Sequence, residues 1–410
     1  MKYLLSILIS CCTFYRGNTQ TVSLDSVLSW AIRNNPAMKV ATLETSRQMV
    51  LTRGSSDIPK TDVSLMYGQY NSIQRNDNNI SVVQTIPFPS VWVRQKKLNK
   101  ELVISSALNE RVTENLLKYE VGRSFNHLLY LKAKSRMLSQ QDSIMRAMAR
   151  AVDFQYKTGE STLLAKTSAE ARLMELANQR RRNEADRQIY LDKLRFLCRE
   201  NFTDIHGEFG EIIPLITIDS TGINENPLIT FAAQQVSIAQ EKAKLEAARM
   251  MPDIRIGYFT QTMIGIQNIQ GTEQYFGSDK RFHGFQVGLS IPLWYASFKT
   301  RIKAAALSGH IAKEQEEGQM LMLRQQYDQV RQELIKNTNS LSYFRESALK
   351  ASRMLRYQSE IAFRNGEIDY RVHLLNLQQA LSVEEDYLNT QYEYNQNIIT
   401  INYLTVSDQK

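Results

Sequence analysis

The chain has 410 residues, 43% of them apolar, with charges of both signs, a globular composition that excludes a disordered or collagen-like protein. Its formal net charge of +8 suits anionic lipid or nucleic acid, but no zinc-finger spacing, RNP-like aromatic motif or long Lys/Arg block accompanies it, which weighs against nucleic acid. Beyond the first residues no apolar run approaches the ~20 residues of a transmembrane helix, so any membrane crossing is made by strands.

Met1-Lys2 and the apolar run from Tyr3 to Ser10 read as a secretory signal over residues 1–20. Gly17-Asn18-Thr19 supplies small residues for cleavage before Gln20, while Leu8-Ile9-Ser10-Cys11 matches a lipoprotein signal with Cys11 as the lipidated first residue. Once Cys11 and Cys12 are removed or modified, Cys198 stands alone and no disulfide can form within the chain.

A first helical segment carries Asn35-Pro36. Val63, Leu65 and Tyr67 then alternate with Asp62, Ser64 and Gly68, Met66 being the exception, and a less regular strand lies near Ile80 to Pro87 after a polar loop, residues 71–79. From Ser90 to Ile213 there is no proline, and the stretch is rich in strong helix formers. Gly159 breaks it near the middle, which predicts a helical hairpin with its tip at Tyr156–Glu160. Leu117, Val121, Phe125 and Leu128 recur at three and four, and a helix from Val91 to Gln155 would be roughly 95 Å long. The drifting phase beyond Lys132 suits helices packed on both sides in a cylinder better than a two-stranded coiled coil.

The same order then returns. Asn226-Pro227 opens a second helical segment; Ile254, Ile256 and Tyr258 alternate with Asp253, Arg255 and Gly257; a loop follows over Gln261–Arg281. Phe285, Val287, Leu289 and Ile291 alternate with Gly284, Gln286, Gly288 and Ser290, a strand with one apolar and one small or polar face. The second proline-free stretch, Leu293 to Lys410, turns at Phe363–Glu367. The offset between paired markers is 191 at Asn-Pro, 193 at Pro59 and Pro252, 205 at Ile86-Pro87 and Ile291-Pro292, and 207 at the tips. The chain therefore reads as a tandem repeat, 21–222 and 223–410, with one insertion of about a dozen residues in the second strand pair.

A soluble β-layer with one wet face is the common source of such alternation. Here the strands have the ~9-residue length that crosses a bilayer at a tilt. There are four, too few to close a barrel alone, and Tyr67, Tyr70, Trp92, Tyr258, Phe259, Trp294 and Tyr295 sit at their ends as an aromatic girdle would.

Helix with Asn-Pro, two strands, and a long hairpin with a Tyr/Phe-x-x-Gly-Glu tip, repeated twice behind a signal peptide, resembles a TolC-type outer-membrane factor over the whole mature chain. The opening Ser23-Leu24-Asp25-Ser26-Val27-Leu28 and Ala31-Ile32-Arg33-Asn34-Asn35-Pro36 match that family's start. The resemblance implies a mainly α fold with a small β part. Long antiparallel hairpins would form a trimeric α-barrel, and four strands per chain a shared 12-stranded transmembrane β-barrel. It further implies a passive homotrimeric efflux duct in the outer membrane of a Gram-negative bacterium. A periplasmic adaptor and an inner-membrane pump of the resistance-nodulation-division type would dock at the helical tips. The short length and compact ends are similar to the heavy-metal-efflux branch; drug efflux and type I secretion are the alternatives. A periplasmic coiled-coil scaffold without a pore is the competing class, and it has no use for a lipid-facing Phe285, Val287, Leu289 and Ile291.

On that resemblance Lys157, Gly159, Glu160, Arg364, Gly366 and Glu367 are the adaptor-docking tips, the glycines also serving simply to turn the chain. Asp369 is the candidate for an acidic constriction in the pore, with solvation of a helix end as the plain alternative. Arg94 and Lys96 map onto Lys299 and Arg301 at the 205 offset and would ring the membrane rim beside Lys97, Lys100 and Lys303, facing outer-membrane phospholipid or water. His127, His206, His283, His310 and His373 show no ligand spacing, and Met145/Met148 and Met320/Met322 read as packing, so no metal site or cofactor is expected. No phosphate loop, nucleophile elbow or HExxH motif is present, so no enzyme activity is expected.

Overall fold

The computed structural model describes residues 21–69, 73–212 and 220–405; the signal segment with Cys11 and Cys12, and Tyr70 of the expected girdle, lie outside the described residues. In chain order β1 (Thr21–Val22), α1 (Leu24–Asn34) and α2 (Pro36–Arg53) precede β2 (Asp62–Tyr67) and β3 (Asn78–Ile86). Then come α3 (Pro89–Lys157), α4 (Leu163–Cys198), β4 (Asp204–Ile205) and a 3-10 turn (Ser220–Glu225). The second half runs α5 (Pro227–Ala248), β5 (Asp253–Gln261), β6 (Gly265–Ile269), β7 (Thr272–Phe276) and β8 (Phe282–Ser290). It ends with α6 (Tyr295–Tyr343), a π turn (Phe344–Ala348), α7 (Leu349–Arg364) and α8 (Tyr370–Thr405).

Local chemistry starts and stops these helices alike in both halves. Asn35 Oδ1 accepts the Ala37 amide at 2.8 Å, and Asn226 Oδ1 accepts Leu228 at 2.9 Å, with Pro36 and Pro227 at the first helical position, where no amide is missed. At the tips Gly159 (φ 82) and Gly366 (φ 76) adopt the left-handed conformation. Glu160 N–H donates to Gln155 O and Glu367 N–H to Ala362 O, both at 2.8 Å, so both helices close with the same Schellman motif. Thr162 then caps α4 by accepting Ala165 N–H at 3.2 Å, and Asp369, its counterpart at offset 207, caps α8 by accepting Val372 N–H at 2.9 Å.

The contacts define two compact units: Met1–Lys39, Thr113–Glu225 and Leu323–Lys410 in one, Val40–Val112 and Asn226–Met322 in the other, so each draws on both halves of the sequence. In the first unit α1, α3 and α4 enclose Val27, Val121, Phe125, Leu128, Leu194 and Cys198. Further along, Leu138, Met145, Met148 and Val152 of α3 meet Leu176 of α4 and Leu377 and Leu381 of α8. Each such side chain removed from water contributes about 1.5–3 kcal/mol. Leu117, Val121, Phe125 and Leu128 all lie in this core, as their spacing predicts.

In the second unit four antiparallel strands form a sheet in the order β2-β3-β5-β8, while the start of α3 packs on α5 through Leu98, Ile238 and Leu245. Three of the strands have nine residues and β2 has six.

The structure departs from the sequence reading in three places. The first helical stretch ends at Cys198, not Ile213, because Arg199 takes a left-handed φ of 56° and the chain continues into β4, which pairs in parallel with β1. The segment 261–281 is not a plain loop: it holds the β6–β7 hairpin, closed by Gln270 and Gly271, both at positive φ as a type I′ turn requires. β3, expected to be the least regular strand, pairs along its full length and alternates irregularly as expected, with Gln84 on the face of Ile80, Val82 and Ile86 and Val83 on the other. The last difference is between the two long helical paths. The π turn has no counterpart in α3; α6, the π turn and α7 have 49, 5 and 16 residues against the 69 of α3, and the π turn takes up the one extra residue.

Candidate functional site

The strand register sorts the sheet into two faces. Val63, Leu65 and Tyr67 of β2 lie beside Val82, Ile80 and Asn78 of β3; Ile254, Ile256 and Tyr258 of β5 lie opposite Leu289, Val287 and Phe285 of β8. This face is mostly apolar and uncovered, Gln84 beside Ile256 being its one polar side chain at mid-strand and Asn78, Thr260 and His283 lying at the loop end: Val63 is 70% exposed, Phe285 84% and Val287 77%. Ile291, after β8, is exposed as well. The other face carries Ser64, Ser81, Thr85, Gly257, Gly284, Gln286, Gly288 and Ser290 together with Met66, Val83 and Phe282, and Ser64 and Ser81 are hydrogen bonded at 2.7 Å. All three charged residues of these strands, Asp62, Asp253 and Arg255, fall on this small and polar face.

Aromatic residues mark both ends of the apolar face. Tyr67 and the Tyr258–His283–Phe285 group lie toward the hairpin loops, and Trp92, Trp294 and Tyr295 toward the helices. Phe259 departs from the girdle: it lies on the polar face, its ring so close over Gly284 that a Cβ there would come within 2.4 Å. Sequence reasoning missed the tie at the loop end. Asp77 is fully buried and its Oδ1 accepts from Thr262 Oγ1 and the Ile264 amide, both at 3.0 Å, so the β2–β3 loop holds the start of the inserted hairpin.

The tips are exposed and charged. Asp153 Oδ2 and Oδ1 receive Lys157 and Lys166, each at 2.7 Å, across the first tip, and the Lys157 hydrogen bond followed by that of Lys166 holds the Asp153 carboxyl down to about 2. At the second tip Arg364 pairs with Glu360 at 2.5 Å, and Asn365 donates to Glu367 at 3.2 Å. Asp369 also lies 3.8 Å from Arg371. Gly159, Glu160, Gly366 and Glu367 are exposed beside them. Of the basic residues near the strands, Arg94 reaches Glu241 at 3.7 Å, Arg301 stacks on Phe298 at 4.5 Å, and Lys96 and Lys299 are exposed.

In the first unit His127 forms a cluster that sequence spacing could not reveal, since its partners come from three helices. Its ring lies 3.9 Å from Tyr190 of α4, its Nδ1 shares a 2.8 Å hydrogen bond with Tyr392 of α8, and Tyr130 completes the group. A cavity of about 410 Å³ beside it is lined by Lys134, Arg182, Asn183, Asp186 and Glu385. Burial lowers the His127 pKa to about 4 and raises that of Tyr392 to about 12. With the folded pKa below the ordinary 6.5, the unfolded chain binds the proton first, so this stability is full above about pH 6.5 and is lost as pH falls toward 4. His127→Gln removes the contribution: the drop in thermal midpoint on acidifying across that window becomes smaller than in the parent protein. An unchanged drop would show that His127 titrates alike in the folded and unfolded chain.

No family model and no curated protein sequence matches the chain. Solved structures do match. With the outer-membrane channel OprN it shares 15% identity at a TM-score of 0.76, over 93% of this chain and 89% of that one. The outer membrane protein VceC of Vibrio cholerae gives 13% identity and 0.76, over 93% of this chain and 96% of that one. For the CmeC outer membrane channel of Campylobacter jejuni the values are 13% and 0.75, over 93% and 85%. Long antiparallel helical hairpins joined to a four-stranded sheet give this chain the TolC-type fold of these outer-membrane channels.

Proposed function

We propose that the chain is one protomer of a homotrimeric outer-membrane efflux duct. The observation that carries this reading is the four-stranded sheet: one face is mostly apolar, uncovered and without Asp, Glu, Lys or Arg, and its outer strands β2 and β8 have open edges. Open edges are not tolerated in a bilayer, and a four-stranded sheet cannot close on itself, whereas three copies supply twelve strands and leave no edge. The small and polar face then lines water and the apolar face meets lipid. A pore-free scaffold gives no account of Phe285, Val287, Leu289 and Ile291.

In this reading residues 21–222 and 223–410 are tandem copies, supported by the matching Asn-Pro caps and tips. The exposed tips, Lys157, Gly159, Glu160, Arg364, Gly366 and Glu367, meet a periplasmic adaptor, through which an inner-membrane pump of the resistance-nodulation-division type supplies the energy. Lys96, Lys299, Arg301 and Arg94 face phospholipid heads at the periplasmic rim, and three copies of Asp369 form an acidic ring. The protein performs no chemistry on its cargo. Metal, drug and protein cargo are separated by the sensitivity profile of a deletion strain. Detergent-extracted protein added to a planar bilayer is expected to produce stable conductance steps; a protein that inserts without conducting would overturn the duct.

A further inference from the structure

We propose that Arg255 sets the charge preference of the strand section of this duct, lowering its preference for cations and admitting anionic solutes. The inference rests on the reading that three sheets close one barrel with the polar face inward.

Arg255 is the third residue of β5, at the helix-side end of the strand, and its register partners are Gly288 on β8 and Thr85 on β3. Neither neighbour is large enough to cover a guanidinium, and the space above Gly288 is open. Arg255 is exposed and makes no ion pair among the described residues. The rest of the face is small or uncharged, apart from Asp253 two residues earlier and Asp62 in the next inward row, beside Val83. An arginine that neutralised a neighbouring acid would be paired with it; this one is not. Three-fold closure would place three unpaired guanidinium groups at one level of a lumen with low-dielectric walls. There, fixed charge is screened less than in bulk and selects among passing ions. The acids attract cations; the Arg255 ring opposes them.

The test is the reversal potential of single channels in a potassium chloride gradient. Arg255→Gln, which keeps much of the side chain's length, is expected to move it toward the potassium equilibrium potential, and Arg255→Lys to leave it near the parent value. Asp62→Asn, on the same face, is expected to move it the opposite way. A conducting Arg255→Gln channel with the parent reversal potential overturns the proposal, as does an Asp62→Asn channel whose reversal potential shifts in the same direction as that of Arg255→Gln. Absence of conductance from the parent protein itself would instead remove the duct on which the inference depends.

Discussion

Val287→Arg is expected to stop the protein from assembling in the outer membrane. Val287 stands at the middle of β8, paired with Ile256, on the face where Phe285 and Leu289 flank it and no strand residue is charged. Near the bilayer midplane an arginine on a lipid-facing strand costs about 2–4 kcal/mol, and the proposed trimer would repeat that cost in every protomer. Gln286→Arg, one residue away on the opposite face, enters water and is expected to assemble normally. Membrane fractionation followed by native electrophoresis distinguishes the two variants. Equal assembly of both would mean that the faces of the sheet have been given the wrong solvent; loss of both would indicate a strand defect unrelated to lipid.

Leu176→Ala is expected to lower the thermal midpoint of the extracted protein more than any surface change on the same helix. Leu176 is 1% exposed and lies in the cluster where α3, α4 and α8 meet, beside Leu138, Leu377 and Leu381. Truncation there removes buried apolar surface and leaves a cavity between rods that have little freedom to collapse, a cost of about 2–5 kcal/mol. Arg181→Ala, exposed five residues further along, is expected to stay within about 0.5 kcal/mol. If the two variants melt together, the cluster does not hold the hairpins.

What could be read from the sequence was whatever the backbone demands of particular residues. Asn-Pro fixes a helix start because the amide oxygen caps and the ring needs no donor. Gly159 and Gly366 fix the tips because a left-handed residue ends each helix. The alternation of Phe285, Val287 and Leu289 fixed the faces of β8, and the register confirms that assignment. Other features leave no such mark. Arg199 ends α4 in a left-handed conformation that glycine would have announced. The turn at Gln270-Gly271 lacks the Asn-Gly or Asp-Gly pair that usually signals a hairpin. Phe344-Arg345-Glu346-Ser347-Ala348 looks like ordinary helix, and only comparison with the unbroken α3 shows that one residue must be absorbed there. The His127 cluster and the Asp77 tie depend on side chains brought together from distant segments, so spacing carries no signal for either.

Asp369 has a local task in the fold. Its carboxylate caps α8 through Val372, as Thr162 caps α4 through Ala165. Capping needs only an oxygen acceptor, so the change from threonine to aspartate adds a charge that the cap itself does not require.

Electron microscopy of the particle extracted from outer membranes in mild detergent decides whether the chain builds the proposed duct. A three-fold particle with a hollow helical stalk and a short barrel wrapped in detergent at one end is expected. A monomer, or a solid helical rod without a detergent belt, would contradict it.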